Sequence, residues 1–514
     1  MRRKLTALAV ILASAAVLTG CGADDKGKGG GDESTSSGQG ELRVALGSEV
    51  GTLSVFQEAG IANYHLAALA QEGLLALTAE GELEGALAES WSTEDQITWV
   101  FKLRNGVKFH DGTPVTAEDV LFSLDIARDP AQAPGLSTYW PEGLVVSQEA
   151  TAEDEITIKL DGPHSDFAAQ VSAAGGLLVV PQAFWEKAEA FGSPTDLLVG
   201  TGPYQVTEFD PASHVTYQKY SGYWGENTGP AKVRVDFITD DATRLLAFQD
   251  GGLDASLTVP TDQAEQWTKT ANAHITYVSD RSYQGLTFDQ SVAPFGDIHV
   301  RRAFAHAIDK EAIVSGILAG HGQAATGIDS PVQLAGYAGS GAAETAVAGL
   351  PALEFDLEKA KTELAQSATP DGFKTTLTYP TGYPAVGKTS LALAESLAKI
   401  GVTLEVKEIP LEQWLSEVGD GKQGVAWMIY HPTTPIPNEI TSWLLAADGP
   451  GANPANWTDA AVAQTTAGIG ALEDPQEKLD AVIQATTAAL EQVVYAPVYW
   501  GESAIATRPG VKAE

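Results

Sequence analysis

The sequence predicts a mixed α/β protein that folds into two lobes. Two stretches, residues 232–259 and 375–406, each alternate an apolar strand, an amphipathic helix and a second strand. Each stretch is a βαβ unit, and the two units lie far apart in the chain. At 514 residues the chain also exceeds what one hydrophobic core usually organises. We therefore expect two α/β lobes.

Capping residues mark the helices of both βαβ units. The strand, helix and strand of the first unit are predicted at residues 232–238, 241–249 and 253–259. Asp240 or Asp241 can cap the start of this helix, and Gly251 can end it. The corresponding elements of the second unit are predicted at residues 375–379, 389–400 and 402–406. Gly401 closes the second helix.

Residues 81–125 give the clearest local pattern in the chain. Residues 97–103 alternate as a strand, and Asn105 and Gly106 make a turn before a second short apolar run. A loop rich in Gly and Pro follows. Thr116 and Asp119 then form a capping box, which predicts a helix with one apolar face.

The run FKLRNGVKFHDGTPVTAEDVLFSL in this stretch closely resembles the signature of the solute-binding proteins that serve peptide and nickel ABC importers. Other segments extend the resemblance over most of the chain. They are GTGPY, YWG and DDATR between residues 200 and 244, the segment 295–320, the D-x-x-K-A-K helix from Asp356, and YAPVYW at 495–500.

This resemblance implies a two-lobed, periplasmic-binding-protein-like fold of the class II type, with a hinge between the lobes and a smaller inserted α+β domain. The implied first lobe combines residues 41–80, 185–285 and 485–514. The inserted domain corresponds to residues 81–184, and the second lobe to residues 286–484.

Acidic residues outnumber basic ones by 67 to 31, which gives a formal net charge of −36. This excess opposes binding to nucleic acid or to an anionic lipid surface through a basic patch, and it favours solubility. We expect a solvated acidic surface, a monomer and no nucleic-acid partner.

The N-terminus resembles that of a bacterial lipoprotein. Arg2, Arg3 and Lys4 precede an apolar run too short for an ordinary membrane span. The following Leu-Thr-Gly-Cys resembles a lipobox, in which Cys21 would be lipidated and begin the mature chain. A free cysteine after a signal anchor is the alternative. Cys21 is the only cysteine, so the chain can form neither an intramolecular disulfide nor a Cys-based metal cluster.

Residues 1–21 are accordingly predicted to be a signal peptide, and residues 22–40 a flexible tether. The tether has almost nothing to bury, and its reach is roughly 25 Å by random-coil scaling. We expect the protein on the outer face of a bacterial cell membrane, anchored by lipid and not threaded through the bilayer. The pair Arg2-Arg3 does not distinguish Sec from twin-arginine export.

Two patterns suggest an enzyme, but neither is complete. His110 and Asp111 could form an acid/base pair, yet no nearby nucleophile or orienting group completes it. Residues 382–389 satisfy G-x-x-x-x-G-K-[ST], but Pro384 removes a backbone donor and no neighbouring strand ends in an Asp that could support Mg²⁺. His299 and His306 lack carboxylates at metal-site spacing. We predict no catalytic residue, metal or cofactor.

A two-lobed α/β protein binds ligands at loops beyond the carboxyl ends of its strands, and hinge closure buries the ligand between the lobes. Four loops qualify, at residues 48–55, 282–290, 379–384 and 427–437. The candidate ligand-binding residues in these loops are Tyr283, Phe288, Tyr379, Tyr383, Trp427, Tyr430 and His431.

Each ring taken alone is more readily a core residue, because strand ends also pack inward. Together the rings fit a site that stacks on an apolar or ring-bearing solute. His431 could touch a ligand or a chelated metal, or it could simply build the turn before Pro432.

Dipeptide binders of the resembled family hold the peptide carboxylate with an Arg in the third of these loops and the amine with an Asp in the fourth. Here those loops read TYPTGYP and YHPTTPIPNE, and neither anchor is apparent. Glu439 or Glu49 could hold an amine, with a surface role as the alternative. We therefore expect weak binding of dipeptides, because a desolvated charge needs a partner.

The resemblance implies a lipid-anchored solute-binding component of an ABC importer, which delivers a peptide or peptide-like solute to its permease. An oligosaccharide, an opine-like compound or a metal chelate remains open as the solute. A P-loop hydrolase and a structural or chaperone-like envelope lipoprotein are the other functional classes.

Overall fold

The structure, a computed structural model, describes residues 40–78, 81–419, 423–445 and 453–511. The predicted signal peptide, the tether up to residue 39 and Cys21 lie outside the described residues. The chain divides into two compact units. The first unit contains the described residues up to Val278, Thr433–Pro435 and the segment from Ser503 onward. The second contains Ser279–Pro432 and Ile436–Glu502.

Strands dominate the first unit. They are β1 (Glu41–Leu46), β2 (Leu75–Leu77), β3 (Leu83–Gly85), β4 (Ala88–Thr93), β5 (Thr98–Leu103), β6 (Val145–Ala152), β7 (Glu155–Leu160), β8 (Tyr204–Asp210), β9 (His214–Lys219), β10 (Lys232–Phe237) and β11 (Ala255–Val259). The helices are α1 (Ile61–Ala67), α2 (Ala117–Arg128), α3 (Phe167–Gln170), α4 (Gln182–Trp185), α5 (Asp241–Gln249) and α6 (Ala264–Ala271). Short 3-10 turns lie at Leu136–Tyr139 and Thr261–Gln263.

The first predicted βαβ unit is confirmed as β10, α5 and β11. Strand β1 lies between the two strands and pairs in parallel with both. Asp240 caps α5, because its Oδ1 accepts a hydrogen bond from the Thr243 amide at 2.7 Å. Strands β9 and β8 extend the sheet beyond β10 with antiparallel pairing.

A separate antiparallel sheet of the first unit has the order β4, β5, β7, β6. The predicted capping box precedes the neighbouring helix α2. The Asp119 amide donates to Thr116 Oγ1 at 3.2 Å, and the Thr116 amide donates to Asp119 Oδ2 at 3.1 Å. This sheet and α2 fall within residues 81–184, which remain a predicted inserted domain.

Residues 64–77 have helix-like sequence, but α1 ends at Ala67, and Leu75–Leu77 form strand β2, which pairs with β3. The Leu74 amide donates to the Val171 carbonyl and the Ala173 amide to the Leu75 carbonyl, and these bonds hold the segment extended. Gly73 permits this approach, because a Cβ there would lie 2.5 Å from the Ala173 amide nitrogen.

The second unit is richer in helices. They are α7 (Ile298–His306), α8 (Lys310–Ala312), α9 (Pro331–Ala338), α10 (Ser340–Ala348), α11 (Leu357–Gln366), α12 (Pro384–Ala398), α13 (Leu411–Gly419), α14 (Glu439–Leu444), α15 (Ala460–Gly468) and α16 (Pro475–Glu491). A π-helical turn lies at Ile313–Ile317 and a 3-10 turn at Ile469–Ala471. The strands are β12 (His274–Phe288), β13 (Gln323–Ala324), β14 (Lys374–Pro380), β15 (Thr403–Ile409), β16 (Val425–Tyr430) and β17 (Tyr495–Thr507). Strands β12 and β17 each begin in one unit and end in the other.

The second predicted βαβ unit is confirmed as β14, α12 and β15. The two strands pair in parallel over their whole length. Helix α12 begins at Pro384, earlier than the predicted residue 389, because proline is already suited to the first helical position. The end of β12 pairs antiparallel with β16, from Tyr283 opposite Tyr430 to Phe288 opposite Val425.

Candidate ligand-binding site

The structure brings two of the predicted site residues together in the second unit. Tyr383 lies directly before α12, in the loop that follows β14, and His431 follows the last residue of β16. Their rings are 6.5 Å apart between centroids and inclined at 46°. Both side chains are half-buried, so each keeps part of its ring exposed. This geometry suits contact with a flat or apolar ligand group.

Tyr430, the last residue of β16, contacts a different set of residues. Its hydroxyl donates to Glu439 Oε1 at 3.0 Å, and its ring lies 5.2 Å from that of Trp443 on α14. Glu439 is only 8 % exposed. A surface role for Glu439 is therefore wrong, whereas Glu49 of the first unit is exposed. The carboxylate of Glu439 serves to hold Tyr430 in position.

Tyr379 is half-buried near the end of β14 and contacts the neighbouring helix and strand. Its hydroxyl donates to Glu408 Oε2 of β15 at 3.1 Å. Burial, followed by the Glu408 carboxylate, raises the pKa of the Tyr379 hydroxyl. Its ring packs over Gly387 so closely that a Cβ there would lie 2.7 Å from ring carbons. Tyr379 therefore braces the loop that carries Tyr383.

The rings of Tyr283, Phe288 and Trp427 are 0 % exposed. Phe288 and Trp427 belong to one hydrophobic core of the second unit, and Tyr283 to another. The Trp427 indole Nε1 donates to Ser390 Oγ at 2.8 Å inside that core. We therefore correct the prediction that these three rings contact a ligand, because they present no surface on which a ligand could stack.

Trp443, which the sequence analysis did not identify, is a further candidate site residue because its ring lies against that of Tyr430. It lies in α14, outside the four loops considered, and no local pattern distinguishes it from a core tryptophan. The clue available in the sequence is its helical spacing of four residues from Glu439, which places both side chains on one face of α14. We refer to Tyr383, Tyr430, His431 and Trp443 as the aromatic set.

The loop at residues 48–55 belongs to the first unit and is held largely by its own apolar residues. Leu53 and Val55 are fully buried, and the Leu53 amide donates to the Gly192 carbonyl at 2.9 Å. Residues 433–435 of the fourth loop are also grouped with the first unit. There Tyr139 and Thr433 share a hydrogen bond of 2.6 Å between their hydroxyl oxygens.

The G-x-x-x-x-G-K-[ST] match is not a phosphate-binding loop. Its last residues lie inside α12, where the Gly387 amide donates to the Tyr383 carbonyl at 3.1 Å. Thr389 is buried, and its hydroxyl donates to the Ala385 carbonyl at 2.8 Å. The backbone and hydroxyl donors that such a loop would offer to phosphate are thus used within the helix.

His110 and Asp111 build a loop of the first unit. Both imidazole nitrogens of His110 contact backbone: Nδ1 accepts from the Gly200 amide at 3.3 Å, and Nε2 donates to the Gly202 carbonyl at 2.9 Å. Burial lowers the pKa of His110. Asp111 Oδ1 accepts from the amide and hydroxyl of Thr113. Both side chains thus serve to build the turn, as the loop composition predicts.

Within the described residues, no group of three or more His, Cys, Asp or Glu side chains is arranged to hold a metal ion. His299 instead pairs with Glu363 at 2.7 Å, and His306 Nδ1 lies 2.7 Å from the Glu354 carbonyl.

Over the described parts of the chain, no helix combines the length and apolar character needed to span a bilayer.

Comparisons with known proteins agree with this architecture. The sequence pattern of the bacterial extracellular solute-binding proteins, family 5 (Middle), matches residues 82–452. The glutathione-binding protein GsiB of Escherichia coli K12 is 29% identical over 414 residues, which are 79% of this chain and 77% of that relative.

Solved structures show the same fold. The periplasmic binding protein DppA of Helicobacter pylori, in complex with the peptide STSA, superposes with a TM-score of 0.81 at 24% identity, covering 91% of this chain and 94% of that one. The binding protein AgaA of A. tumefaciens R10, in complex with agropinic acid, superposes with a TM-score of 0.77 at 24% identity, covering 91% and 93%.

The family pattern covers well over half of the chain, and the fold is that of binding proteins and not of enzymes. The chain therefore belongs to the family 5 bacterial extracellular solute-binding proteins, which serve as the solute-binding components of ABC importers.

Proposed function

We propose that this protein captures a peptide or peptide-like solute on the aromatic set and delivers it to an ABC permease. The family match over residues 82–452 carries the proposal. Two similar proteins point the same way, because glutathione and STSA, the ligands in their names, are both peptides. The aromatic set supplies ring faces for side chains or backbone amides of such a solute.

The solute should be held mainly by stacking and neutral hydrogen bonds. The loops at residues 379–384 and 427–437 contain no Arg, Lys or Asp. Glu439, two residues after the second loop, is already hydrogen-bonded to Tyr430. Neither charged terminus of a peptide therefore finds a dedicated partner in these loops, and binding a desolvated charge without one is costly.

Calorimetry with matched peptides tests this proposal. A tripeptide with free termini is compared with its N-acetylated, C-amidated and doubly blocked forms. We expect each block to change the affinity by less than about tenfold, because no ion pair is lost. A loss of about a hundredfold or more on blocking one terminus would show that a charged anchor exists and would overturn the stacking account.

A second candidate class of solute is supported by one observation. AgaA, which has the same fold, is in complex with agropinic acid. An opine-like compound, an oligosaccharide or a metal chelate would also suit a site of rings without charged anchors. Saturable binding of such a compound, with no binding by any tripeptide, would favour this class over the peptide.

We also propose that Cys21 is lipidated and anchors the protein to the outer face of the bacterial cell membrane. The lipobox-like Leu18-Thr19-Gly20-Cys21 and the polar segment after it support this proposal. Replacing Cys21 by Ser should move the protein from the membrane fraction to the soluble extracytoplasmic fraction. Unchanged membrane association of the variant would contradict lipid anchoring at this residue.

A further inference from the structure

A small, partly open cavity in the second unit lies at the junction of β12, β16 and α13. It measures about 10 Å³. It therefore has room for one water molecule or one small ion. Its wall is formed by Thr287, Asp289, Glu417, Val418, Gln423, Gly424, Ala426 and Pro454.

Asp289 is the most unusual group in this wall. It directly follows β12 and is 4 % exposed. Its Oδ1 accepts from the Ser291 amide at 2.9 Å and from the Ser291 hydroxyl at 2.6 Å. Its Oδ2 is buried and has no hydrogen-bond partner in the described part of the chain. A buried carboxylate oxygen without a donor carries a large desolvation cost, so it calls for a ligand.

A second carboxylate shares the cavity. Glu417 of α13 accepts from Gln413 Nε2 at 2.8 Å through Oε1 and from Gln423 Nε2 through Oε2. Both donors are neutral amides, so they leave the negative charge uncompensated. Of the lining residues that the structure describes, none is Lys, Arg or His. The described part of the wall thus presents two carboxylates and no cationic side chain.

The oxygen atoms of the wall define the chemistry that would satisfy it. Thr287 contributes a buried hydroxyl. Gln423 contributes an amide oxygen that accepts from the Thr378 hydroxyl at 3.2 Å. Carboxylate, hydroxyl and amide oxygens are ligands for hard cations, and the described lining has no nitrogen or sulfur ligand for zinc or copper.

We propose that this cavity binds one calcium ion, with Asp289 Oδ2 as its principal ligand. A divalent ion neutralises both carboxylates, which one water molecule cannot do. Mg²⁺ fits less well, because it demands near-ideal octahedral geometry and gives up its waters reluctantly, whereas Ca²⁺ accepts an irregular set of oxygen ligands. Two carboxylates and a few neutral oxygens make a weak site, comparable to extracellular modules with dissociation constants of about 10⁻⁴ to 10⁻³ M.

The ion would join the end of β12 to α13 and to the start of β16. The Asp289 amide already donates to the Gly424 carbonyl at 2.9 Å across this junction. The site is therefore structural, and it does not depend on which solute the protein carries. Binding an ion only in the folded state should raise the melting temperature by an amount that grows with the logarithm of one plus the ratio of the calcium concentration to Kd.

Thermal unfolding of the purified chain, stripped with a chelator and titrated with CaCl₂ or MgCl₂ at constant ionic strength, tests the proposal. At about 10 mM Ca²⁺ we expect the melting temperature to rise by about 1 to 3 °C, and less with Mg²⁺. Asp289→Asn should abolish the rise, because it removes the charge and half of the carboxylate. Without calcium this variant should melt no lower than the wild type, because the amide can donate where the carboxylate cannot.

Glu395→Gln, which makes the same charge change on an exposed residue of α12, is the matched control and should keep the full response. If Asp289→Asn fails to fold, Glu417→Gln replaces it and should weaken the response. Equilibrium dialysis should find one more Ca²⁺ bound per chain in the wild type than in the variant. Equal responses of wild type and Asp289→Asn, or no response to Ca²⁺, would overturn the proposal and leave a bound water or a shared proton in the cavity.

Discussion

The indole of Trp427 donates a hydrogen bond to Ser390 Oγ at 2.8 Å, and neither side chain is exposed. This bond joins β16 to α12, and the Ser390 hydroxyl in turn donates to the Val386 carbonyl at 2.8 Å. It shows that Trp427, in the middle of β16, packs against the helix and not toward a solute. The ligand contacts we propose come instead from Tyr430 at the end of this strand, from His431 after it, and from Tyr383 and Trp443.

Ser390→Ala should therefore lower stability without changing solute affinity. The buried indole N–H would lose its acceptor, which costs about 1 to 3 kcal/mol of unfolding free energy. Trp427→Phe should cost about 1 to 3 kcal/mol as well, through lost packing volume. Urea unfolding measures both. Solute affinity measured by calorimetry should stay within about twofold of the wild type. If the Trp427→Phe variant lost more than about tenfold in solute affinity, Trp427 would have to contact the solute.

Tyr383→Ala and His431→Ala should each weaken solute binding by about 1 to 3 kcal/mol, because each removes one of two rings lying 6.5 Å apart. Tyr379→Phe is the matched control. It removes only the hydroxyl that donates to Glu408 and keeps the ring over Gly387, so affinity should hold. Calorimetry on the three variants checks this set. Unchanged affinity in both alanine variants would place the solute elsewhere.

Replacing Arg301 should cause one of the larger losses of unfolding free energy in this protein. Its guanidinium is buried and donates to three backbone carbonyls, those of Phe295, Gln492 and Val493. Burial lowers its pKa to about 10. It also supports Val493, a β-branched residue held at a φ of 47°, in the left-handed region. Arg301→Met leaves these carbonyls without a donor and should cost about 3 to 5 kcal/mol of unfolding free energy.

The neighbouring Arg302→Met serves as the control for Arg301, because Arg302 is only half-buried. Its replacement should cost less than about 1 kcal/mol in the same urea titration. Equal losses for the two variants would mean that the carbonyl contacts of Arg301 add nothing to stability.

Asp329 should make stability fall as pH rises toward neutrality. Burial raises the pKa of its carboxyl from 3.8 to about 7, although the Thr441 hydroxyl donates to it. Between these two values the unfolded chain binds fewer protons than the folded one, so the unfolding free energy falls with increasing pH. Above about pH 7 both states are ionised and the loss is complete.

Asp329→Asn removes this dependence. The difference between variant and wild-type unfolding free energy should grow from pH 4 to pH 7 by up to about 4 kcal/mol and then level off. Asp371→Asn, on an exposed residue, should run parallel to the wild type. Urea unfolding at several pH values gives the curves. Parallel curves for Asp329→Asn and the wild type would contradict a raised pKa.

Lys388→Ala should leave the protein without any nucleotide-related phenotype. Lys388 is exposed within α12, one turn past the helix start, and the donors of the P-loop-like match are used inside that helix. Neither ATP nor GTP should shift the melting temperature of wild type or variant. A shift in the wild type that the variant loses would restore the phosphate-binding interpretation.

The sequence was most informative where periodicity and capping agreed. Asp240 and the box of Thr116 and Asp119 fixed the starts of α5 and α2, because a side-chain cap is a local interaction that neighbouring residues determine. The start of α12 was placed too late, because Pro384 could be interpreted either as a loop residue or as the first residue of a helix.

The candidate site was harder to predict than the fold. Phe288 and Trp427 lie on one face of the β12/β16 pair and Tyr430 on the other, whereas Tyr283 lies directly opposite Tyr430 on the same face and is nevertheless fully buried. A purely apolar strand does not reveal which face is buried. Trp443 and Glu439 were identified only from their contacts with Tyr430 in the folded unit. No local sequence pattern specifies these contacts.

Native mass spectrometry of the protein purified gently from its own host tests the central claim most directly. Partial denaturation should release a defined small molecule, which rebinds, raises the melting temperature and binds about tenfold or more weakly to Tyr383→Ala. If no molecule is released, and no peptide, sugar or chelate stabilises the chain, the solute-binding account is contradicted. A structural or chaperone-like role at the envelope would then be favoured.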